Sequence, residues 1–117
     1  MTQPKQGEIY FVHFNPTKGA EIRKTRPALV LSSDVAGVLP VRLVVPITGW
    51  NTNYENKFWL VAVKPSRRNG LSKKSAIDVM QTRAVSVSPE RFAGKLGEVE
   101  VGVLEQVKAA MCLVIDL

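Results

Sequence analysis

The chain has 117 residues, 45% hydrophobic and 22% charged, which is the size and composition of one globular domain spanning 1–117 with no room for a second core. Its 16 Lys and Arg against 10 Asp and Glu give a formal net charge of +6, which suits an acidic partner such as nucleic acid and suits equally well a basic protein with no such partner. One cysteine and one histidine exclude an internal disulfide and the usual Cys/His zinc sites, and no apolar stretch approaches the roughly 20 residues of a transmembrane helix.

In chain order, Met1 to Gln6 has no apolar leader segment, so a cytoplasmic protein without membrane attachment is expected. Glu8 to Phe14 reads as a strand with both faces filled, Tyr10, Val12 and Phe14 on one and Ile9, Phe11 and His13 on the other. Asn15-Pro16-Thr17-Lys18-Gly19 breaks it and opens a polar, basic loop reaching Thr25. Pro27 to Ser33 and Val41 to Ile47 are two further apolar strands, joined by turn residues Asp34, Gly37 and Pro40. Pro46 cannot donate to a ladder, so the second of these strands should end or lie at an edge near it.

Thr48 to Asn56 reads as a loop, Phe58 to Val63 as a strand closed by Pro65, and Ser66 to Lys74 as a second basic loop. Ser75 to Val87 predicts one or two strands bent around Thr82 to Ala84. Ser88-Pro89-Glu90-Arg91 has the form of a helix start, kept short by Gly94 and Gly97. Val101, Leu104, Val107, Met111 and Val114 recur at spacings of three and four and predict a C-terminal helix, with Cys112 as apolar filler. The fold expected is mainly β (α+β), an SH3-like, partly open barrel of about six strands with a helix packed on it.

No second histidine, GxSxG, HExxH or phosphate-binding glycine loop is present, and His13 fits a packed or hydrogen-bonded role inside its strand. Candidate chemistry therefore gathers at strand ends. Lys18, Glu21, Arg23, Lys24, Thr25 and Arg26 lie on the first loop, Thr48, Trp50 and Asn51 after the third strand, and Arg67, Arg68, Lys73 and Lys74 on the second basic loop. Pro27 biases Arg26 toward extended backbone, which suits a pre-placed fork for phosphate, although an arginine there also fits a stem covering apolar surface. Trp50 beside Asn51 fits stacking on an unpaired base with polar reading of its edge, and fits equally a lid folded back on the core. Cations, amides and an aromatic on loops suit single-stranded RNA.

The run Gly7-Glu8-Ile9-Tyr10, then Asn15 to Glu21 (NPTKGAE), then Lys24 to Ser32 (KTRPALVLS) resembles the N-terminal signature of the MazF/PemK toxin family. Val45-Pro46-Ile47-Thr48, Gly70-Leu71 through Ser75, Gln81-Thr82-Arg83-Ala84-Val85 and Arg91 through Gly97-Glu98 agree with it in order and spacing. The resemblance spans nearly the whole chain. It implies a homodimeric endoribonuclease that cuts single-stranded mRNA at short motifs, leaves a 2′,3′-cyclic phosphate and a 5′-hydroxyl, uses no metal or other cofactor, and is neutralised by a cognate antitoxin. Arg26 and Thr48 fall on the family's catalytic positions, Glu21 on an acidic position of the same site, and Gln81 and Arg83 on a segment near it.

An arginine side chain stays protonated at physiological pH, so Arg26 suits charge stabilisation on the phosphorane better than proton abstraction. Donation of a proton to the leaving 5′-oxygen is a second task open to it. Thr48 can bond a phosphate oxygen, and Glu21 is the candidate base. Where several relatives carry an acidic residue before the glutamine, this chain has Met80, so any such role is absent or passes to Asp78 or Glu21. Two rivals stand beside this reading: a non-catalytic RNA-binding barrel, and a gyrase poison of the CcdB kind, whose Trp-Gly-Ile tail has no counterpart in Val114-Ile115-Asp116-Leu117. An acidic, partly disordered antitoxin peptide with apolar anchors would suit a basic groove, and Trp50, Phe58 and Trp59 could be covered in a dimer.

Overall fold

A computed structural model describes residues 3–117; Met1 and Thr2, which begin the segment read as lacking a leader, lie outside it. Seven strands follow in chain order: β1 (Glu8–His13), β2 (Thr25–Val30), β3 (Val41–Gly49), β4 (Leu60–Val63), β5 (Ser75–Asp78), β6 (Arg83–Ser86) and β7 (Phe92–Glu98). One helix, α1 (Val101–Val114), closes the chain. The sheet is antiparallel in the order β4-β5-β3-β2-β1-β7, with β6 also on β3, and it stays open.

Alternation along the strands sends side chains to two faces, and each face carries its own core. Ile9, Leu29, Val45, Ile47, Val61, Val63 and Ile77 form the first, on which α1 lays Val107 and Ala110. Tyr10, Val12, Phe14, Ala28, Val30, Val44, Val85 and Phe92 form the second. The predicted partly open barrel is therefore present, with seven strands rather than six.

Several local expectations need correction. Residues 88–91 form a turn, not a helix start, and the chain continues as β7 against β1. Its glycines hid the strand, and at least one is needed there: a Cβ on Gly97 would stand 2.2 Å from the Arg68 carbonyl oxygen. Gly70 meets β7 from the other side, with φ +70° and 2.2 Å between its would-be Cβ and the Leu96 oxygen. Phe11 is 42% exposed, so the outer face of β1 is not filled along its whole length. On α1, Val101 is exposed, and Val103 and Ala110 join Leu104, Val107, Met111 and Val114 against the core. Cys112 is partly exposed rather than core filler.

β3 does not end at Pro46 but runs on to Gly49, so Thr48 is a strand residue. One edge of β3 pairs with β6 through Val44 and with β5 from Ile47. Pro46 lies at this change of partner, where a missing backbone donor costs no ladder bond. The chain between β5 and β6 makes a 3-10 turn at Val79–Gln81, earlier than the bend expected around Thr82 to Ala84.

Candidate active site

The second face carries the site at its rim. Ala28 pairs with Pro46, and continuing that register by two residues sets Arg26 opposite Thr48. Their side chains meet, Arg26 Nη1 donating to Thr48 Oγ1 at 3.5 Å, while Arg26 Nε donates to the Arg23 carbonyl at 3.2 Å. Neither bond is short, so the guanidinium retains donors for an anion. Both residues are partly exposed.

Beside them the 79–81 turn leaves a cavity of about 180 Å³ over Pro46, lined also by Phe14, Glu21, Ile22, Met80, Gln81, Thr82 and Arg83. Arg83 pairs with Val44 and so belongs to the same face; its Nη1 donates to the Phe14 carbonyl at 3.2 Å, with the guanidinium 5.7 Å from the Phe14 ring centre. Glu21 is exposed and accepts the Lys18 amide at 2.8 Å. Gln81 is committed to structure: its Oε1 accepts the Ile22 amide and its Nε2 donates to the Ala20 carbonyl, each at 3.2 Å. It ties the basic loop to the turn instead of offering a free amide to RNA.

The remaining predicted residues divide. Lys18, Arg23 and Lys24 are exposed on that same loop, and Lys24 holds φ +73° as its amide donates to Asn15 Oδ1. Trp50 belongs to neither core; it packs edge-to-face with Tyr54 at 5.8 Å and carries Lys74 Nζ 4.6 Å from its ring centre. Lys73 lies over Gly49, so both lysines stand near Thr48. Asn51 spends its Oδ1 on the Asn53 amide at 2.9 Å, shaping the turn after β3.

Arg67 and Arg68 are not brought to the site. Glu98 donates to the Arg68 carbonyl, and Arg68 lines a separate cavity with Gly7, Val99 and Leu104. That is the Glu8 end of β1, whereas Arg26 pairs at Val12, and four residues of strand span about 13 Å. Their loop is pinned by Asn69, fully buried, which accepts the Ser66 and Leu71 amides and donates to Glu100 Oε1.

Three further side chains act as structural ties, of which only Thr25 stood in the loop cluster read from the sequence. Arg91 clamps the start of the basic loop, Nη1 donating to the His13 and Asn15 carbonyls at 2.9 and 2.7 Å. Arg42, almost fully buried, spends its guanidinium on Pro4, Leu39, Val41 and Gly37 carbonyls and Gln3 Oε1, so it offers no free charge. Thr25 pairs its Oγ1 with His13 Nδ1, which gives the histidine the hydrogen-bonded role expected. Among the described residues, no group of three or more His, Cys, Asp or Glu side chains is placed to hold a metal ion. No helix there is long and apolar enough to cross a membrane.

The sequence profile described as PemK-like, MazF-like toxin of type II toxin–antitoxin system matches residues 5–115. Endoribonuclease MazF9 of Mycobacterium tuberculosis is 30% identical over 119 aligned positions, covering 97% of each chain. A MazF crystal structure from Deinococcus radiodurans superposes with a TM-score of 0.82 over the full length of both chains at 24% identity. A mycobacterial endoribonuclease solved in complex with its cognate antitoxin gives 0.75 at 16% identity, covering 97% of this chain and 96% of that one. These last two likenesses concern the fold.

Proposed function

Since the chain belongs to the PemK-like, MazF-like toxins of type II toxin–antitoxin systems, we propose that its 117 residues act as one toxin domain that cuts single-stranded mRNA endonucleolytically. The observation that carries this reading is the Arg26–Thr48 pair at the open rim of the second core. A fork with free donors beside a hydroxyl fits a phosphodiester, and the exposed cations Lys18, Arg23, Lys24, Lys73 and Lys74 suit the flanking phosphates.

Cleavage proceeds by attack of the substrate's own 2′-hydroxyl. The 2′-oxygen–phosphorus bond forms, the bond from phosphorus to the 5′-oxygen breaks, and the products carry a 2′,3′-cyclic phosphate and a 5′-hydroxyl. Arg26 stabilises charge on the phosphorane and Thr48 fixes a non-bridging oxygen. Glu21, exposed at the cavity over Pro46, takes the 2′-hydroxyl proton. No step requires a metal ion.

The exposed basic loops fit an acidic antitoxin peptide, and a relative of the same fold has been solved with its cognate antitoxin. We extend to this chain the homodimer that the family resemblance implies and a cytoplasmic site of action. Incubation of purified protein with a long single-stranded RNA in EDTA tests the reading. Cleavage that persists in EDTA and falls at least about 10²-fold in Arg26→Ala supports it; RNA left intact by the wild type refutes it.

A further inference from the structure

Asp78 carries a buried polar atom that neither the fold nor the proposed chemistry accounts for. Its Oδ1 is shielded from solvent and has no hydrogen-bond partner among the described residues. Such an atom is uncommon in a folded protein, because a carboxylate stripped of water without a partner is costly. The amides of Met80 and Gln81 face the carboxylate from the turn that follows, without closing a cap hydrogen bond. Burial pushes the Asp78 carboxyl up from the ordinary aspartate range, and those two amides offset only part of the effect.

Its position is informative. Thr48 pairs with Ala76, and Asp78 lies two residues further along β5, hence on the same face as Thr48. Diagonal neighbours of this kind stand about 7–8 Å apart. Continuing the register sets Asp78 opposite Pro46, which lines the cavity, while Asp78 itself is not among the lining residues. Arg26, Arg83, Arg42 and Lys95 are the cations of this face, with Arg42 spent on backbone carbonyls and Lys95 paired with Glu8, and Glu21 lines the cavity. Its register neighbours are uncharged, Pro46 on β3 and Leu60 on β4 with Thr48 diagonal to it, and the apolar helix residues Val107, Ala110, Met111 and Val114 lie on the far side of the sheet.

In-line displacement places the entering and leaving oxygens on opposite sides of phosphorus, so one carboxylate cannot serve both in a single step. We propose that Asp78 is the proton donor of the cleavage reaction, protonating the 5′-oxygen as its bond to phosphorus breaks. This rests on the nuclease reading above and gives Asp78 the donor task that otherwise falls to Arg26. The balance is complete: the 2′-hydroxyl proton passes to Glu21, the Asp78 carboxyl proton passes to the departing 5′-oxygen, and both carboxyl groups are reset by exchange with water. Two carboxyl groups in unlike surroundings, one exposed and one shielded, suit this division.

RNA whose scissile linkage carries sulfur in place of the 5′-oxygen provides the test, since a thiolate leaves without being protonated. Asp78→Asn should slow cleavage of ordinary RNA at least about 10²-fold and cleavage of the sulfur-linked RNA far less. The alkaline fall in the pH–rate profile should be present for wild type on the oxygen substrate and absent on the sulfur substrate. Equal losses of Asp78→Asn on both substrates, or no loss on either, overturn the assignment. If Asp78→Asn does not fold, Asp78→Glu decides: it should keep activity and move the alkaline limb, and an unmoved limb refutes the role. Failure of the wild type to cut either RNA would instead refute the nuclease reading itself.

Discussion

Replacing Asp78 has a consequence for stability that is separate from catalysis. Because burial holds its carboxyl above the ordinary range, the folded protein favours the protonated form. Stability from this group is therefore complete below the unfolded value of about 3.9 and is lost as pH climbs through the folded one. Asp78→Asn is expected to melt at a higher temperature than wild type at pH 7, and the gap should close in acid. Glu8 runs the other way. Burial pushes its carboxyl up, but Lys95 at 2.8 Å, the Lys5 amide and the Tyr10 hydroxyl outweigh that and hold it low. Its contribution is present at neutral pH and lost on acidification, so Glu8→Gln should flatten the acid side of the melting curve. The pairing of Arg26 with Thr48 was implied by the family resemblance, whereas the residues alone left them as two of several strand-end candidates, with Pro27 biasing Arg26 toward extended backbone. The burial of Asp78 was not legible in the sequence, since it depends on which strands close around it.

At the scale of elements, the basic loop is held by a side chain far away in sequence. Gln81→Ala removes both bonds to Ala20 and Ile22. Hydrogen exchange at the Ile22 amide should accelerate while amides inside the β1–β2 ladder keep their protection, and trypsin should cut sooner after Arg23 and Lys24. β1, β3 and β4 could be read from their aromatic and β-branched residues, whereas the polar and small residues of β5 left only one or two strands legible over 75–87. β7 could not be read, because Gly94 and Gly97 erase the alternation that reveals a strand. Gly97→Ala should cost about 1–3 kcal/mol in a denaturant titration, since its Cβ would meet backbone rather than a movable side chain.

For the whole molecule, a net charge of +6 and cations on several loops imply that RNA affinity rests on phosphate contacts. With a substrate lacking the attacking 2′-hydroxyl, the logarithm of the binding constant should fall against log salt with a slope of about −0.7 per phosphate engaged. Substituting Lys73 or Lys74 should reduce that slope, and substituting Arg68, at the other end of β1, should leave it nearly unchanged. Which loops share an end of the molecule is set by strand order, and composition alone gives all exposed cations equal claim.

The change of partner along β3 has one more effect. Two hydrogen-bonded blocks, β4–β5 and the remainder, share β3 in the ladder with the seam at Pro46, and the 79–81 turn with its Gln81 bonds also bridges them. Arg26 rides on one block and Asp78 on the other. The catalytic set is thus assembled across a joint rather than built into one rigid plate, and a modest slip there would separate the groups and disturb the first core, which draws on both blocks, while the second core stayed intact. On warming, turnover is expected to fade before the circular-dichroism melt begins, and a bound substrate spanning the seam should delay that loss.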